Sequence, residues 1–202
     1  STPKHFAGNN EEHNRFECKM EVSEQTLRSY YLPAFKALVT EGKAESIMSA
    51  YNAINGIPCT ANKWLLTDVL RNEWGFNGYV VSDCGAPGFL YSDHHYVETR
   101  EEAAQKALKA GLDLECGGYC SECFIFTDYL PKALEQGLVT ESEIDRAAFR
   151  VLRARFKSGI LDDPDLNLYA QISPSVIGSE KHQQLALETA RQSIVLLKNS
   201  NG

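Results

Sequence analysis

Short apolar segments alternate along this chain with longer amphipathic ones, and this alternation limits the fold more than any other feature. The short segments predict strands at 4–7, 46–51, 79–82 and 112–115. Amphipathic segments with helical spacing of their apolar residues lie between and after them. Because parallel strands are joined through crossover helices, this order predicts an α/β fold with a parallel sheet.

Capping and stop signals locate the helices. We predict them at 23–41, 60–74, 100–110, 126–135, 140–157 and 179–193. Ser23 is suited to cap the first of these, whereas Gly75 and Gly111 are suited to end the second and the third. Pro33, inside the first helix, predicts either a kink or a later start.

Breaker residues predict the loops and a change of domain. Asn55-Gly56 with Pro58 predicts one loop, and the segment with Pro87, Gly88 and His94-His95 predicts another. The stretch 158–178 is rich in turn-forming residues and predicts a linker. The helix at 179–193 and a strand beginning at 194–197 then predict the start of a second α/β domain, at 179–202.

Polar side chains lie at the end of each predicted strand, where Lys4-His5, Tyr51, Asp83 and Glu115 are found. In a (β/α)₈ barrel the active site lies at the carboxyl ends of the strands. A whole barrel has eight strands in roughly 250 residues, whereas four are predicted here. We therefore interpret 1–157 as the second half of a TIM-type barrel, with about its last four βα units.

Composition and charge exclude other classes of protein. The chain has 202 residues and a formal net charge of −7, opposite to the basic surface of a nucleic-acid-binding protein. No apolar run approaches the roughly 20 residues of a membrane span, so we expect neither nucleic acid nor membrane as a partner. The chain begins at Ser1 without an initiator Met, and we interpret this as a cut end.

The cysteines do not form a recognisable metal motif. Cys120 and Cys123 form a CxxC with Cys116 four residues upstream, but no second ligand pair has the usual zinc spacing. We expect loop cysteines or one disulfide and no metal or other cofactor. A metal-binding module around these three residues is an alternative.

Asp83 is the main candidate for chemistry. A lone Asp after a strand is usually a helix cap or a turn residue, but the four polar strand ends favour a functional role. A carboxylate held between cationic groups stays ionised, which suits a nucleophile. Lys4 and His5 are donors suited to sugar hydroxyls, although both lie at the chain end, where solvated residues are common.

Six motifs occur in a defined order along nearly the whole chain. They are KHFAGN at 4–9, MSAYNAINGIP at 48–58, LLTDVLRNEWGFNG at 65–78, VVSD at 80–83, AGLDLE at 110–115 and IVLLKN at 194–199. This ordered set resembles glycoside hydrolase family 3. The resemblance implies a glycosidase barrel followed by the first elements of an α/β sandwich domain.

The resemblance also implies roles for particular residues. Asp83 matches the nucleophile of the family, which forms a glycosyl-enzyme ester during retaining hydrolysis of O-glycosyl bonds. Matches to substrate-binding positions are found at Lys4, His5, Met48, Tyr51 and Glu115. The acid/base Glu of the glucosidases and xylosidases comes from the second domain, so we expect it beyond residue 202 and expect this chain alone to be inactive.

The motifs SDCG and DLECG resemble the β-xylosidase and arabinofuranosidase branch of the family. Many β-glucosidases have Trp at the position of Cys84, and the hexosaminidases have Pro at the position of Ala7. We expect an exo-acting, β-xylosidase-like enzyme whose substrate is an oligosaccharide or aryl glycoside. A β-glucosidase and an inactive carbohydrate-binding remnant are the alternatives. The resemblance implies a periplasmic or secreted protein that also contains the other barrel half and the second domain.

Cys84 and Cys116 each follow a strand-end carboxylate, Asp83 and Glu115, on strands predicted to be neighbours. Neighbouring strands lie about 4.8 Å apart, within the range of Cα separations in disulfides. We therefore predict a disulfide between them, which requires an oxidising compartment. Two buried thiols that pack as small apolar groups are the alternative.

Overall fold

Four chain segments lie side by side in parallel in the computed structural model. Strand β2 (Ser46–Met48) pairs with β5 (Tyr79–Val81), Phe6 forms a bridge with Ser49, and Val81 forms a bridge with Leu114. The expected parallel α/β arrangement is therefore present. The predicted strands at 4–7 and 112–115 are wrong in extent, because each contributes a single bridge rather than a regular ladder.

The structure describes residues 1–117, 124–167 and 169–200, in two units, Ser1–Lys157 and Ser158–Gly202. In the first unit, helices cover the parallel segments. The core consists of buried apolar side chains from both layers, among them Phe6, Ile47, Leu65, Leu66, Leu70, Val80, Leu90 and Leu112. In the described part of the chain, no helix is long and apolar enough to span a membrane.

A small second sheet occupies segments for which no strands were predicted. Strand β1 (Lys19–Met20) pairs in parallel with β3 (Ala53–Ile54), which pairs antiparallel with β4 (Ile57–Pro58). Asn55 and Gly56 join β3 to β4 with φ values of 50° and 81°. Both lie in the left-handed region that tight hairpin turns require, so the predicted loop is the turn of a hairpin.

The first predicted helix is divided into three parts. Helix α1 (Glu24–Thr26) is followed by a π-helical turn, Leu27–Tyr31, and by α2 (Pro33–Thr40). Ser23 caps α1 as predicted, since its hydroxyl accepts a 3.1 Å hydrogen bond from the Thr26 N–H. Pro33 begins α2, where its missing N–H would have no partner within the helix.

The second predicted helix begins later than residue 60. The 3₁₀ turn Cys59–Ala61 precedes the helix Trp64–Glu73, which has π-type hydrogen bonding. Four apolar side chains on one of its faces are buried against the sheet: Leu65, Leu66, Val69 and Leu70. The apolar periodicity therefore located the face of this helix, although not its hydrogen-bonding pattern.

Residues around Pro87 and Gly88 were predicted to form a loop, and this prediction is wrong. They lie in helix α3 (Ala86–Ser92). Gly85, with a φ of 75°, makes the turn that joins Asp83 to this helix. Pro87 lies in the first turn of α3, where proline is tolerated. The two breaker residues therefore mark the beginning of a helix here.

The later helices of the first unit lie where they were predicted. Helix α4 (Arg100–Ala110) has a complete capping box between Thr99 and Glu102 and ends at Gly111, whose φ is 115°. Helices α5 (Ile125–Glu135) and α6 (Glu141–Lys157) begin within one residue of the predicted positions.

The second unit contains one long helix. Two 3₁₀ turns, Pro164–Leu166 and Pro174–Val176, precede α7 (Glu180–Ser193). The predicted strand at 194–197 is wrong, because these exposed residues make no strand pairing in the described part of this unit. An apolar run becomes a strand only where another strand satisfies its backbone groups.

Candidate active site

Asp83 follows β5 and lies at the carboxyl end of the parallel segments, with 7% of its surface exposed. Its Oδ1 accepts a 2.8 Å hydrogen bond from the Cys84 N–H. Its Oδ2 lies 3.0 Å from Nε2 of His5. Two donors thus hold an almost buried carboxylate in one orientation, which is the geometry expected of a nucleophile.

His5 reaches Asp83 because the backbone of Phe6 is hydrogen-bonded to β2. The Phe6 N–H donates to the Met48 carbonyl, and the Ala50 N–H donates to the Phe6 carbonyl. Burial lowers the pKa of His5, and the nearby positive charges of Lys4 and Arg15 act in the same direction, against the effect of Asp83. We therefore describe His5 as a neutral imidazole that donates a hydrogen bond from Nε2 to Asp83.

Lys4 and Met48 adjoin this pair. Lys4 is exposed beside His5, and its charge contributes to the lowered pKa of His5. Met48 is the last residue of β2, is partly buried and pairs in register with Val81. Both residues therefore lie at the same end of the sheet as Asp83.

Tyr51 lies beyond the end of β2, with its phenol directed towards the residues around Asp83. Its hydroxyl donates a 2.9 Å hydrogen bond to the Cys84 carbonyl. Burial and the negative charge of Asp83 raise the pKa of Tyr51 above its ordinary value. The phenol therefore remains protonated and can act as a hydrogen-bond donor beside Asp83.

Glu115 makes backbone contacts that its sequence position did not predict. Its Oε1 accepts from the Ile125 N–H at 2.9 Å and its Oε2 from the Phe126 N–H at 2.7 Å. Both donors belong to the first turn of α5, where unpaired N–H groups attract a negative charge. Burial raises the pKa of Glu115, although these hydrogen bonds oppose that effect. A carboxylate has further acceptor sites, so contact with a sugar hydroxyl stays a prediction.

Cys84 and Cys116 are neighbours, as predicted from their strands. Their Sγ atoms lie 2.9 Å apart, and both residues are free thiols in this structure. The Cys116 N–H donates to the Ser82 hydroxyl, and its carbonyl accepts from the Gly85 N–H. Hydrogen bonding to Cys84 and burial raise the pKa of Cys116 to about 11. The disulfide itself stays a prediction.

Three residues near Tyr51 and Asp83 were not predicted to have a role: Phe16, Phe89 and His94. The rings of Phe16 and Phe89 pack on Tyr51 with centroid distances of 5.0 and 5.6 Å. Nε2 of His94 lies 2.8 Å from the Tyr51 carbonyl oxygen. The only signal in the sequence was their proximity to the Lys-His and Ser-Asp motifs.

Arg15 adds a positive charge to this aromatic group. Its guanidinium lies over the rings of Phe16 and Tyr51, with centroid distances of 4.9 and 5.3 Å. It also forms an ion pair with Glu12 at 2.9 Å. Arg15 and Asp83 thus bring charges of opposite sign close to Tyr51, and they shift its pKa in opposite directions.

Among the residues described, no group of three or more His, Cys, Asp or Glu side chains could hold a metal ion. Cys120 and Cys123 lie outside the described residues, so the CxxC is not part of that statement. Glu73, a carboxylate near the Trp-Gly-Phe motif, is bound by both terminal nitrogens of Arg28. Both oxygens of Glu73 are therefore paired with Arg28 and not with a group near Asp83.

Solved structures that are similar to this chain include glycosidases. An exo-β-xylosidase of glycoside hydrolase family 3, in complex with a xylobiose aziridine activity-based probe, superposes with a TM-score of 0.89 at 34% identity. The match covers 98% of this chain and 26% of that one. A β-glucosidase from Erythrobacter marinus superposes with a TM-score of 0.85 at 35% identity, covering 99% and 26%.

Curated relatives belong to the same group of enzymes. Beta-D-xylosidase 1 of Arabidopsis thaliana is 41% identical over 187 residues, which are 93% of this chain and 23% of that protein. A probable exo-1,4-beta-xylosidase of Aspergillus flavus is 37% identical over 206 residues, covering 98% and 26%. The chain thus spans about a quarter of the length of these relatives. The model of the glycosyl hydrolase family 3 N-terminal domain matches residues 1–154, and the chain belongs to this family.

Proposed function

We propose that this chain is the nucleophile-bearing part of a retaining, exo-acting β-glycosidase with β-xylosidase-like specificity. The observation that carries the proposal is the Asp83 carboxylate, held at a strand end by the His5 imidazole and the Cys84 N–H. The names of the relatives support xylose as the sugar, since several are β-xylosidases.

In this proposal the reaction has two steps. An oxygen of Asp83 attacks the anomeric carbon, and the bond from that carbon to the leaving oxygen breaks as an acid donates a proton to the leaving group. Water then attacks the anomeric carbon, the bond from that carbon to the Asp83 oxygen breaks, and the residue that served as the acid, now a base, takes a proton from the water. Lys4, His5, Met48, Tyr51 and Glu115 bind the sugar in the first subsite. The acid/base lies outside this chain.

We further propose that 1–157 is the second half of a TIM-type (β/α)₈ barrel. The parallel order of Phe6, β2, β5 and Leu114 supports it, as do the helices between these segments. In this proposal 158–178 is a linker and 179–202 begins an α/β sandwich domain. The other barrel half and that domain then complete the active site, so this chain alone lacks full activity.

Hydrolysis of aryl glycosides by the complete protein tests this function. We expect release of 4-nitrophenol from the β-D-xyloside at a higher kcat/KM than from the β-D-glucoside, and none by residues 1–202 alone. A preference for the glucoside would favour the β-glucosidase alternative, which the titles of several solved neighbours support. Saturable binding of xylose-configured inhibitors without turnover would indicate a carbohydrate-binding remnant.

We propose that Cys84 and Cys116 form a disulfide in the mature protein, and that the protein is secreted or periplasmic. The proximity of the two sulfur atoms supports the pairing, and such a bond requires an oxidising compartment. A covalent link here would join the turn after Asp83 to the segment after Glu115, and so would hold two walls of the first subsite together.

Thiol titration under denaturing, non-reducing conditions tests this pairing among the six cysteines. If Cys84 is paired, Cys84→Ser releases Cys116, and the number of free thiols rises by one relative to wild type. The control Cys59→Ser removes a buried cysteine recorded as a free thiol, so the number falls by one. A fall with Cys84→Ser as well would contradict the proposed disulfide.

A further inference from the structure

The segment that follows the nucleophile contacts Tyr51 at three separate points. The Tyr51 hydroxyl donates to the Cys84 carbonyl, and its ring packs on Phe89. Its backbone carbonyl lies 2.8 Å from Nε2 of His94. The hydroxyl, the ring and the backbone of one residue are therefore all held by the stretch 84–94, which includes α3.

Tyr51 needs such contacts because the ladder of β2 ends before it. The Ala50 N–H still bonds to the Phe6 carbonyl, and the Thr60 hydroxyl lies 3.5 Å from the Ala50 carbonyl. The next carbonyl along the chain, that of Tyr51, lies against His94 instead. The contacts of Tyr51 with 84–94 therefore replace the strand hydrogen bonds, which end at Ala50.

The chemistry of this contact defines the state of His94. A carbonyl oxygen only accepts hydrogen bonds, so Nε2 must carry a hydrogen. Nδ1 is buried and has no hydrogen-bond partner, and a second N–H at that position would therefore lack an acceptor. His94 is thus a neutral imidazole of the Nε2–H tautomer.

Burial lowers the pKa of His94, which agrees with a neutral ring. The charged groups that act on it do not reverse this effect. Asp93 and Glu17 favour the charged form, whereas Lys19 disfavours it, and the hydrogen bond to Tyr51 also favours the charged form. Burial is the largest of these influences.

We propose that His94 is a positioning residue for Tyr51. As a neutral hydrogen-bond donor, His94 fixes the Tyr51 backbone from which the phenol reaches the nucleophile. The effect on turnover rests on the proposed glycosidase function. His94 acts at the backbone carbonyl, while Phe89 and the Cys84 carbonyl align the ring and hydroxyl. Displacement of a catalytic-site group by about 1 Å costs up to about 100-fold in rate.

Imidazole NMR tests the state of His94 without any measurement of activity. In the ¹⁵N-histidine-labelled protein we expect the Nε2–H tautomer for His94 and a titration midpoint below the ordinary value of a histidine side chain. His94→Gln assigns the signal, because it removes one imidazole and can keep a donor near the position of Nε2. An Nδ1–H tautomer, or a midpoint at or above the ordinary value of a histidine side chain, would overturn the proposal.

Kinetics of the complete protein on 4-nitrophenyl β-xyloside then test the effect on the reaction. We expect His94→Leu to lower kcat by about 10- to 100-fold with little change in KM, and His94→Gln to restore most of that loss. His95→Asn is the matched control, since His95 is exposed and has a positive φ that Asn tolerates. We expect it to keep wild-type rates.

A double-mutant cycle separates positioning through Tyr51 from a general loss of structure. In a Tyr51→Phe background, His94→Leu should lower kcat by less than about threefold, because the hydroxyl that it positions is already absent. An equal loss in both backgrounds, or no rescue by His94→Gln, would contradict the proposal. If the wild type hydrolyses neither aryl xyloside nor aryl glucoside, the proposed function fails, and the NMR titration still decides the state of His94.

Discussion

Replacing Asp83 with Asn is expected to lower kcat on aryl β-xylosides by about 10⁴-fold or more, as removal of a nucleophile does in other covalent mechanisms. An amide cannot form the glycosyl ester, although it is nearly the same size as the carboxylate. Its oxygen can still accept from the Cys84 N–H, and its NH₂ group can face His5 if that imidazole adopts the other tautomer. The loss should therefore occur in a folded protein.

The measurement is kcat/KM of the complete protein, beside circular dichroism spectra of both variants. Asp68→Asn is the control, because Asp68 is an exposed carboxylate that pairs with Lys63 at 3.0 Å. We expect it to keep wild-type activity. In Asp83→Ala, added azide should enter the vacated space and restore turnover, giving a glycosyl azide of inverted configuration. Wild-type activity in Asp83→Asn would show that another residue is the nucleophile.

Replacing Asp113 with Ala is expected to cost about 3–5 kcal/mol of unfolding free energy, the usual effect of breaking a buried ion pair from one side. The side chain of Asp113 is 1% exposed and lies between two arginines. Oδ2 accepts from Arg71 at 2.5 Å and from the Val80 N–H at 2.8 Å, and Oδ1 accepts from Arg150 at 2.8 Å. Removal of this carboxylate leaves the buried Arg71 guanidinium without its counter-charge.

The effect should extend to the active site, because Asp113 also supports β5. Its N–H donates to the Val80 carbonyl, three residues before Asp83. Arg71 in turn donates to the carbonyls of Gly78, directly before β5, and Gly111, directly before the segment that contains Leu114. This ion network thus supports β5, the strand that precedes Asp83.

Urea denaturation of the purified protein measures the effect. Asp128→Ala is the control, since it removes an exposed carboxylate from α5, and it should change the unfolding free energy by less than about 0.5 kcal/mol. Asp113→Asn should be intermediate, because the amide oxygen keeps an acceptor while the charge is lost. A loss below about 1 kcal/mol in Asp113→Ala would show that water or rearrangement of Arg150 compensates for the missing charge.

Local signals in the sequence were sufficient for several elements. Ser23 caps α1 and Gly111 ends α4 because a capping hydroxyl and a left-handed glycine act on backbone groups within one turn. Asp83 became the main candidate because polar side chains end all four predicted strands, a pattern that the sequence itself contains. The ordered motifs likewise indicated the family that the sequence comparison shows.

Other predictions failed because local sequence does not determine pairing. The helix-breaking residues Pro87 and Gly88 favoured a loop, but this stretch forms helix α3. Its Leu90 packs in the core and its Phe89 packs on Tyr51. The apolar run at 194–197 favoured a strand, but no pairing forms in the described part of that unit. Strand formation depends on a partner that a one-dimensional pattern does not contain.

The sequence by itself therefore determined the family, the α/β class and the position of Asp83 at a strand end. Only the tertiary structure decided what each site residue contacts. It brought His5 to Asp83, directed both oxygens of Glu115 to the first turn of α5, and placed His94 on a carbonyl 43 positions earlier in the chain. Capping and periodicity depend on neighbours a few residues away, whereas these contacts join distant residues and arise only when the helices and strands pack together.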